Sequence, residues 1–190
     1  MRPRDDKKRD AILAAALAEV AANGLPSLSI DPIAKRAKVA AGTVYVYFSG
    51  KESLIEAVYS AVKSRFAATL AHDEADGAPV RVAFERTCRA YFTYCTEHRN
   101  ELAFLEQVEL LPQYKHRVEA LDQAAITPLV ALLERGQTER VVKPVPAALL
   151  VAYLAGALRF AARAIAGETK AARAHVTTQL LAVCWDAIAA

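Results

Sequence analysis

The stretch Ser29–Lys51, SIDPIAKRAKVAAGTVYVYFSGK, limits what this chain can fold into more than any other. Ile33, Ala34 and Ala37 fall at helical spacing. Ser29 stands just ahead as a natural N-cap, and Pro32 lies in the first turn, where a missing N–H does no harm. Lys38-Val39 breaks the pattern, and a second short helix follows from Ala40 or Ala41 to about Tyr47. Two short helices, a tight turn and an apolar lock at Val39 make a helix-turn-helix. The second helix carries almost no charge, shows Gly42 and Thr43 on one side, and ends in two tyrosines. An ordinary core helix would not place Tyr45 and Tyr47 two apart, on different faces. A helix lying against a phosphate backbone uses both hydroxyls.

Ile33-Ala34, Ala37-x-Val39, Gly42-Thr43-Val44-Tyr45-x-Tyr47-Phe48 and Lys51-Glu52-x-Leu54 resemble the DNA-binding signature of TetR-type (tetracycline-repressor-like) transcriptional regulators. The resemblance covers roughly the first third of the chain. Two positions depart from it: the family usually has Gly where Lys38 stands and Ser or a similar cap where Ala40 stands. A left-handed Lys38 costs about 1 kcal/mol, and a missing cap at Ala40 about as much again.

The resemblance implies that the second helix enters the major groove, with Thr43, Tyr47, Lys51 and the helix start at Ser29 on phosphates. Free N–H groups and a partial positive charge at helix N-termini agree with this. Base reading is sparser, because Ala40, Ala41 and Gly42 offer no hydrogen-bonding side chain and the helix holds no Arg, Asn or Gln. A bidentate base contact supplies about 1–3 kcal/mol of discrimination, and this helix lacks one. Specificity is expected from Thr43, Tyr45, contacts of Ala41 and its alanine neighbour to thymine methyls, and DNA shape. Lys38, Lys35 and Arg36 read as solvated or phosphate-facing charges.

Composition agrees with an all-α fold: 54% hydrophobic residues, seven Gly, eight Pro, alanine-rich runs and few strand-like alternations. The net charge of +3 is uneven, for residues 1–65 hold 11 Lys+Arg against 7 Asp+Glu, so the remainder is slightly acidic. The basic excess sits with the helix-turn-helix, as an approach to DNA requires. The charged first ten residues and the short apolar run Ala11–Ala22, broken by Glu19, do not read as a signal peptide. Val145–Ala166 is nearly long enough to span a bilayer, but Arg159 and Arg163 fall inside it and favour a buried or interface helix. Three cysteines without close pairs suit a reducing cytoplasm. A cytoplasmic protein without a membrane partner is expected.

The first five residues read as a loose basic arm. A first helix over about Asp6–Ala22 carries the stripe Ile12, Leu13, Ala16, Leu17 and Val20, and Asn23-Gly24 stops it. Leu25, Leu28 and an inward Phe48 close a three-helix unit. A long fourth helix from Lys51 carries Leu54, Ile55, Val58, Tyr59, Val62 and Phe66 and ends in a linker over residues 72–79. Helical patterns follow over 80–98, 100–111, 113–135 with Tyr114, Val118, Leu121, Ala125 and Leu132 in register and Pro128 inside, 146–166 and 169–189. The expected domains are a helix-turn-helix unit over 1–50, joined by the long helix to a helical effector and dimerisation bundle over 51–190.

Catalysis has no sequence support. The four histidines are scattered without an HExxH pair, Cys95-x-x-His98 offers two metal ligands at most, and no phosphate loop or nucleophile constellation occurs. Cys88 and Cys95 on one helix lie about 10 Å apart, too far for a disulfide. No enzyme, cofactor or metal site is expected. The resemblance implies a small molecule held between the later helices and dimerisation through the last two. Phe84, Cys88, Tyr91, Cys95 and Phe104 are the pocket candidates, with Glu106 or Glu109 as polar anchor; plain core is the alternative. For a homodimer, Leu150, Leu154, Ala157, Ala161 and Ala164 form one face and Leu180, Val183, Cys184 and Ile188 the other. The expected function is sequence-specific binding of a palindromic double-stranded operator by a repressor that a small-molecule effector releases. A ligand-independent DNA-binding or architectural protein is the alternative. The effector, the operator sequence and the regulated genes are not legible.

Overall fold

A computed structural model describes residues 6–70 and 77–190, and at 115–125 and 170 the course of the backbone alone. Among the described residues the regular structure is helical. The helices are α1 (Asp6–Asn23), α2 (Ile30–Ala37), α3 (Ala41–Tyr47), α4 (Lys51–Leu70), α5 (Val80–Glu97), α6 (Arg99–Glu109), α7 (Lys115–Thr138), α8 (Ala147–Ala164) and α9 (Lys170–Ile188). A short 3-10 turn spans Pro112–Tyr114. The expected basic arm, the linker residues 71–76 and the side chains of Val118, Leu121 and Ala125 lie outside the described residues.

Packing divides the chain into two compact units, residues 1–65 with 99–121 and residues 66–98 with 122–190. The division falls inside α4, at Arg65–Phe66, rather than at the expected residue 50, because α6 packs on α1. In the first unit Ile12, Ala16 and Val20 of α1 share one apolar cluster with Leu25, Leu28, Ile33, Val44, Phe48 and the α4 residues Leu54, Val58 and Val62. Phe104, Leu105 and Val108 of α6 complete that cluster. Three ion pairs cross it: Arg36–Glu19 at 3.2 Å, Lys63–Glu109 at 3.2 Å and Arg65–Glu101 at 3.4 Å. Glu19, Lys63 and Glu101 are buried, so each pairing offsets a desolvation cost that an unpaired charge would carry in full.

Phe104 and the two candidate anchors are therefore corrected. Phe104 is fully buried in the first unit's core and does not join Phe84, Cys88, Tyr91 and Cys95, which lie in the second. Glu109 is paired with Lys63, and Glu106 is carried on the same α6 of the first unit.

In the second unit α5 packs on α8 and α9. Phe84 meets Trp185 edge-on at 5.3 Å, and Phe66 meets Tyr91 and Tyr94 edge-on at 5.6 and 5.1 Å. Among the described side chains of α7, Leu133 is fully buried, whereas the expected Leu132 is half-buried. A side chain on Gly136 would meet Val142 Cγ2 at 2.6 Å and Val80 Cγ1 at 2.9 Å, so α7 approaches its neighbours there more closely than a Cβ allows. The chain end is clasped against residues 141–143: Lys143 N–H donates to Ile188 O at 2.9 Å, and Lys143 Nζ to Ala187 O at 2.7 Å.

The expected dimer face also needs correction. Leu150, Leu154 and Cys184 are 7%, 1% and 3% exposed and face the protomer's own core, as does Ile188. Ala157, Ala161 and Leu180 are half-buried, and Val183 is exposed. The exposed apolar stripe of α8 lies one residue earlier, at Leu149, Tyr153 and Phe160 with Gly156 between them. A helix apolar all round does not announce which face its neighbours will cover. By length and apolarity α8 also meets the criteria for a membrane-crossing helix, although its other face buries Leu150, Leu154, Leu158 and Ala162.

Candidate nucleic-acid interface

The turn between α2 and α3 is built by Lys38, whose φ of 57° and ψ of 42° are left-handed. Its N–H donates to Lys35 O at 3.2 Å, and Val39 N–H donates back to Ala34 O at 3.0 Å. This paired closure is a Schellman motif, normally completed by glycine at the left-handed position. Val39 packs on the core cluster and sets the angle at which the chain re-enters a helix. Ala40 then occupies the N-cap of α3 with extended backbone and no side-chain cap. Val44 and Phe48 are the buried anchors that fix the outward face of α3.

That outward face presents Gly42, Tyr45 and Val46, with Tyr45 57% and Val46 61% exposed. A Cβ added at Gly42 would meet no atom within 4 Å, so a flat surface can approach the backbone there. Thr43 and Ala41 are half-buried, Ala41 against the core cluster. Tyr47 also packs on that cluster, its ring tilted against Phe48 at 6.4 Å, and is half-exposed. Val46 was not singled out from sequence. The signal was present, since it neighbours Tyr45 and lies off the Val44–Phe48 face, but a lone valine in a short helix reads as core. An exposed methyl-bearing side chain suits contact with thymine methyls.

Ser29 occupies the N-cap of α2 without accepting a hydrogen bond from its first turn. The first amides of α2 therefore keep their capacity to donate to an external oxyanion, with Asp31 in the same turn as an opposing charge. Lys51 opens α4, and its Nζ lies 3.4 Å from Pro26 O, placing the cation beside the α1–α2 turn. Arg36, expected to be solvated or phosphate-facing, is engaged by Glu19 through both Nε and Nη2. It ties α2 to α1. Lys35 and Lys38 are exposed.

Other candidate chemistry does not converge. His98 stacks on Tyr94 at 4.5 Å rather than joining Cys95 in a ligand set, and no group of three or more potential metal ligands occurs among the described residues. Burial raises the Cys88 thiol well above its ordinary range and raises the Cys184 thiol too, which makes them poor nucleophiles.

Fold and site together define a helix-turn-helix protein with a second helical unit. The family model "Bacterial regulatory proteins, tetR family" matches residues 12–58, and "Tetracyclin repressor-like, C-terminal domain" matches residues 55–190. The chain belongs to the TetR family. It is 36% identical over 96 residues to an HTH-type transcriptional regulator of Haemophilus influenzae, covering 50% of this chain and 51% of that protein. The chain spans about half the length of the curated relatives it matches. A TetR-family transcription regulator from Shewanella sp. PV-4 shares the fold with TM-score 0.80 and 26% identity, over 96% of this chain and 98% of that one. The Bacillus subtilis regulator FadR, solved with stearoyl-CoA, shares the fold alone, with TM-score 0.77 and 18% identity over 93% of this chain and 97% of that one.

Proposed function

We propose that this chain is a homodimeric, sequence-specific DNA-binding repressor released from its operator by a small-molecule effector. The observation that carries the reading is the outward face of α3, where Tyr45 and Val46 stand exposed on a helix whose other face is locked by Val44 and Phe48. Exposed Tyr and Val side by side on a seven-residue helix serve no purpose in the protein's own core. Gly42, Thr43, Tyr45 and Val46 would meet the major groove, while Tyr47, Lys51 and the α2 start at Ser29 would meet phosphates. With no bidentate donor on α3, sequence preference would rest on methyl contacts and DNA shape.

The apolar stripe Leu149, Tyr153 and Phe160, with Val183 of α9, supports self-association, since an exposed patch of this kind usually marks an interface. A two-fold dimer would supply two recognition helices for a palindrome. The effector would bind in the second unit. The stearoyl-CoA of its fold neighbour makes long-chain acyl thioesters the first class to screen. An effector that prefers the form unable to span both half-sites must lower operator affinity by the same coupling factor.

The test is selection of bound fragments from random duplex DNA by the purified chain at moderate salt. The expected product is a palindrome with half-sites about one helical turn apart. Recovery of fragments without sequence preference overturns the specific-regulator reading.

A further inference from the structure

We propose that Gln107 is a positioning residue for DNA binding, holding from α6 the turn that presents the α2 N-terminus and Lys51 to the phosphates. The inference rests on the DNA-binding reading above and names a residue outside the helix-turn-helix. Gln107 Oε1 accepts from the backbone N–H of Leu25 at 2.7 Å, and its Nε2 donates to Ala103 O at 3.1 Å, so both ends of the amide are committed. Leu25 follows Gly24, whose φ of +79° ends α1, and a Cβ at Gly24 would stand 3.6 Å from the same Oε1. The next residue, Pro26, offers its carbonyl to Lys51 Nζ at 3.4 Å. One short turn is thus held by α6 through Leu25 and by the start of α4 through Pro26, and Ser29, the N-cap of α2, follows three residues after Pro26.

The outer side of the turn is open. Pro26 is exposed, and a groove of about 460 Å³ lies among Pro26, Lys51, Glu52, Gln107 and Tyr114. Leu25 and Leu28 anchor the turn inward, and the Gln107 amide adds a directional hold on the Leu25 N–H. Loss of that acceptor frees the turn to shift and spoil the fit of the α2 amides and Lys51 to phosphate oxygens. The same α6 begins at Arg99, with His98 alone between it and the end of α5 at Glu97. Gln107 therefore sits on the element that enters the reading unit directly from the other one.

The test compares full-length wild type, Gln107→Leu and Val108→Ala for binding to the selected operator at several salt concentrations, with thermal unfolding alongside. Gln107→Leu keeps most of the side chain's bulk and removes its hydrogen bonds. Val108 is fully buried in the same helix, so Val108→Ala loosens the core while keeping the Gln107 side chain that holds the Leu25 amide. Gln107→Leu should bind about tenfold more weakly, with the slope of log K against log salt reduced by about one as a phosphate contact is lost. Val108→Ala should lower the unfolding midpoint at least as far and leave that slope unchanged. Equal slopes in wild type and Gln107→Leu, or equal losses of affinity in the two variants at matched stability, overturn the proposal. A wild type that selects no DNA overturns the DNA-binding reading together with it, whereas a binding wild type confines failure to Gln107.

Discussion

Each of the two units of this chain has its own balance of polar and apolar ties. In the reading unit, packing is overlaid by long-range polar ties: Arg36–Glu19, Lys63–Glu109, Arg65–Glu101 and Gln107 to the Leu25 amide. In the second unit aromatic joints, with Phe84 on Trp185 and Phe66 against Tyr91 and Tyr94, stand beside hydrogen bonds such as Arg159 to the Tyr91 hydroxyl and Lys143 to Ala187 O, and one helix face is left bare and apolar. Directional ties suit a surface whose backbone must stay in register with a rigid partner, because a hydrogen bond fixes position where apolar contact tolerates sliding. Apolar packing suits the self-association and ligand uptake proposed for the second unit.

The largest effect should come from the bare face. Phe160→Asp places a charge on a side chain that is 75% exposed, so the isolated protomer should fold as before. Dimerisation should nevertheless fail, because burying an unpaired carboxylate costs several kcal/mol. Sedimentation should show a monomer, and operator affinity should fall by at least about 100-fold. Leu154→Ala is the contrasting change on the opposite face of α8. It should leave the mass in solution unchanged and lower stability by about 2–5 kcal/mol through a core cavity. A Phe160→Asp protein that sediments as wild type would break the comparison, for the bare face would then have another purpose.

Alkaline titration sharpens the account of the second unit's interior. Burial first, and neighbouring Cys95 second, push the Tyr91 hydroxyl up from 10.0 to about 12, against the opposite pull of Arg159, whose Nε lies 3.4 Å away. A raised folded-state value means that the folded form holds its proton more tightly. The stability linked to Tyr91 is therefore intact below pH 10 and lost as pH rises through 12. The loss should reach roughly 2–3 kcal/mol. Denaturant midpoints measured across that window should fall less steeply for Tyr91→Phe than for wild type. Parallel curves would show that Tyr91 ionises without resistance.

The reading unit was legible and the second unit only in outline, for a reason visible in particular residues. The helix-turn-helix depends on local signals: Pro32 in a first turn, Val39 as a lock, Val44 and Phe48 four apart, Gly24 at a stop. Each acts within a few residues, so each can be read along the chain. The site's supports are long-range. Gln107 reaches a residue 82 positions away, and no spacing rule announces it. Arg36 resembled a solvated charge because its partner Glu19 lies on another helix. On α8 the alanine-rich run Ala155–Ala164 satisfies several helical stripes at once, so the run itself does not fix which stripe is left exposed. Phe104 reads from sequence as a pocket candidate, although it packs in the first unit's core.

The smallest effects lie in the turn of the reading unit, where this chain departs from its family twice. Ala40 has the extended backbone of an N-cap, φ −70° and ψ 148°, without the side chain. Ala40→Ser supplies an oxygen for the Gly42 or Thr43 amide and should stabilise the protein by about 1 kcal/mol. Lys38→Gly is closer to balance. Relief of the left-handed conformation returns about 1–2 kcal/mol, while the freer unfolded chain takes back about 0.4–1 kcal/mol. The net gain should be about 1 kcal/mol or less, visible as a slightly higher denaturant midpoint. The two variants should diverge on DNA. Lys38 is exposed at the base of α3, so its removal should weaken operator binding at low salt while Ala40→Ser leaves it intact. A lysine kept in a conformation that favours glycine would then be explained by the cation's contribution to binding. If Lys38→Gly gains stability and loses no affinity at any salt concentration, the lysine contributes nothing to DNA binding and the strain at this turn has no functional return.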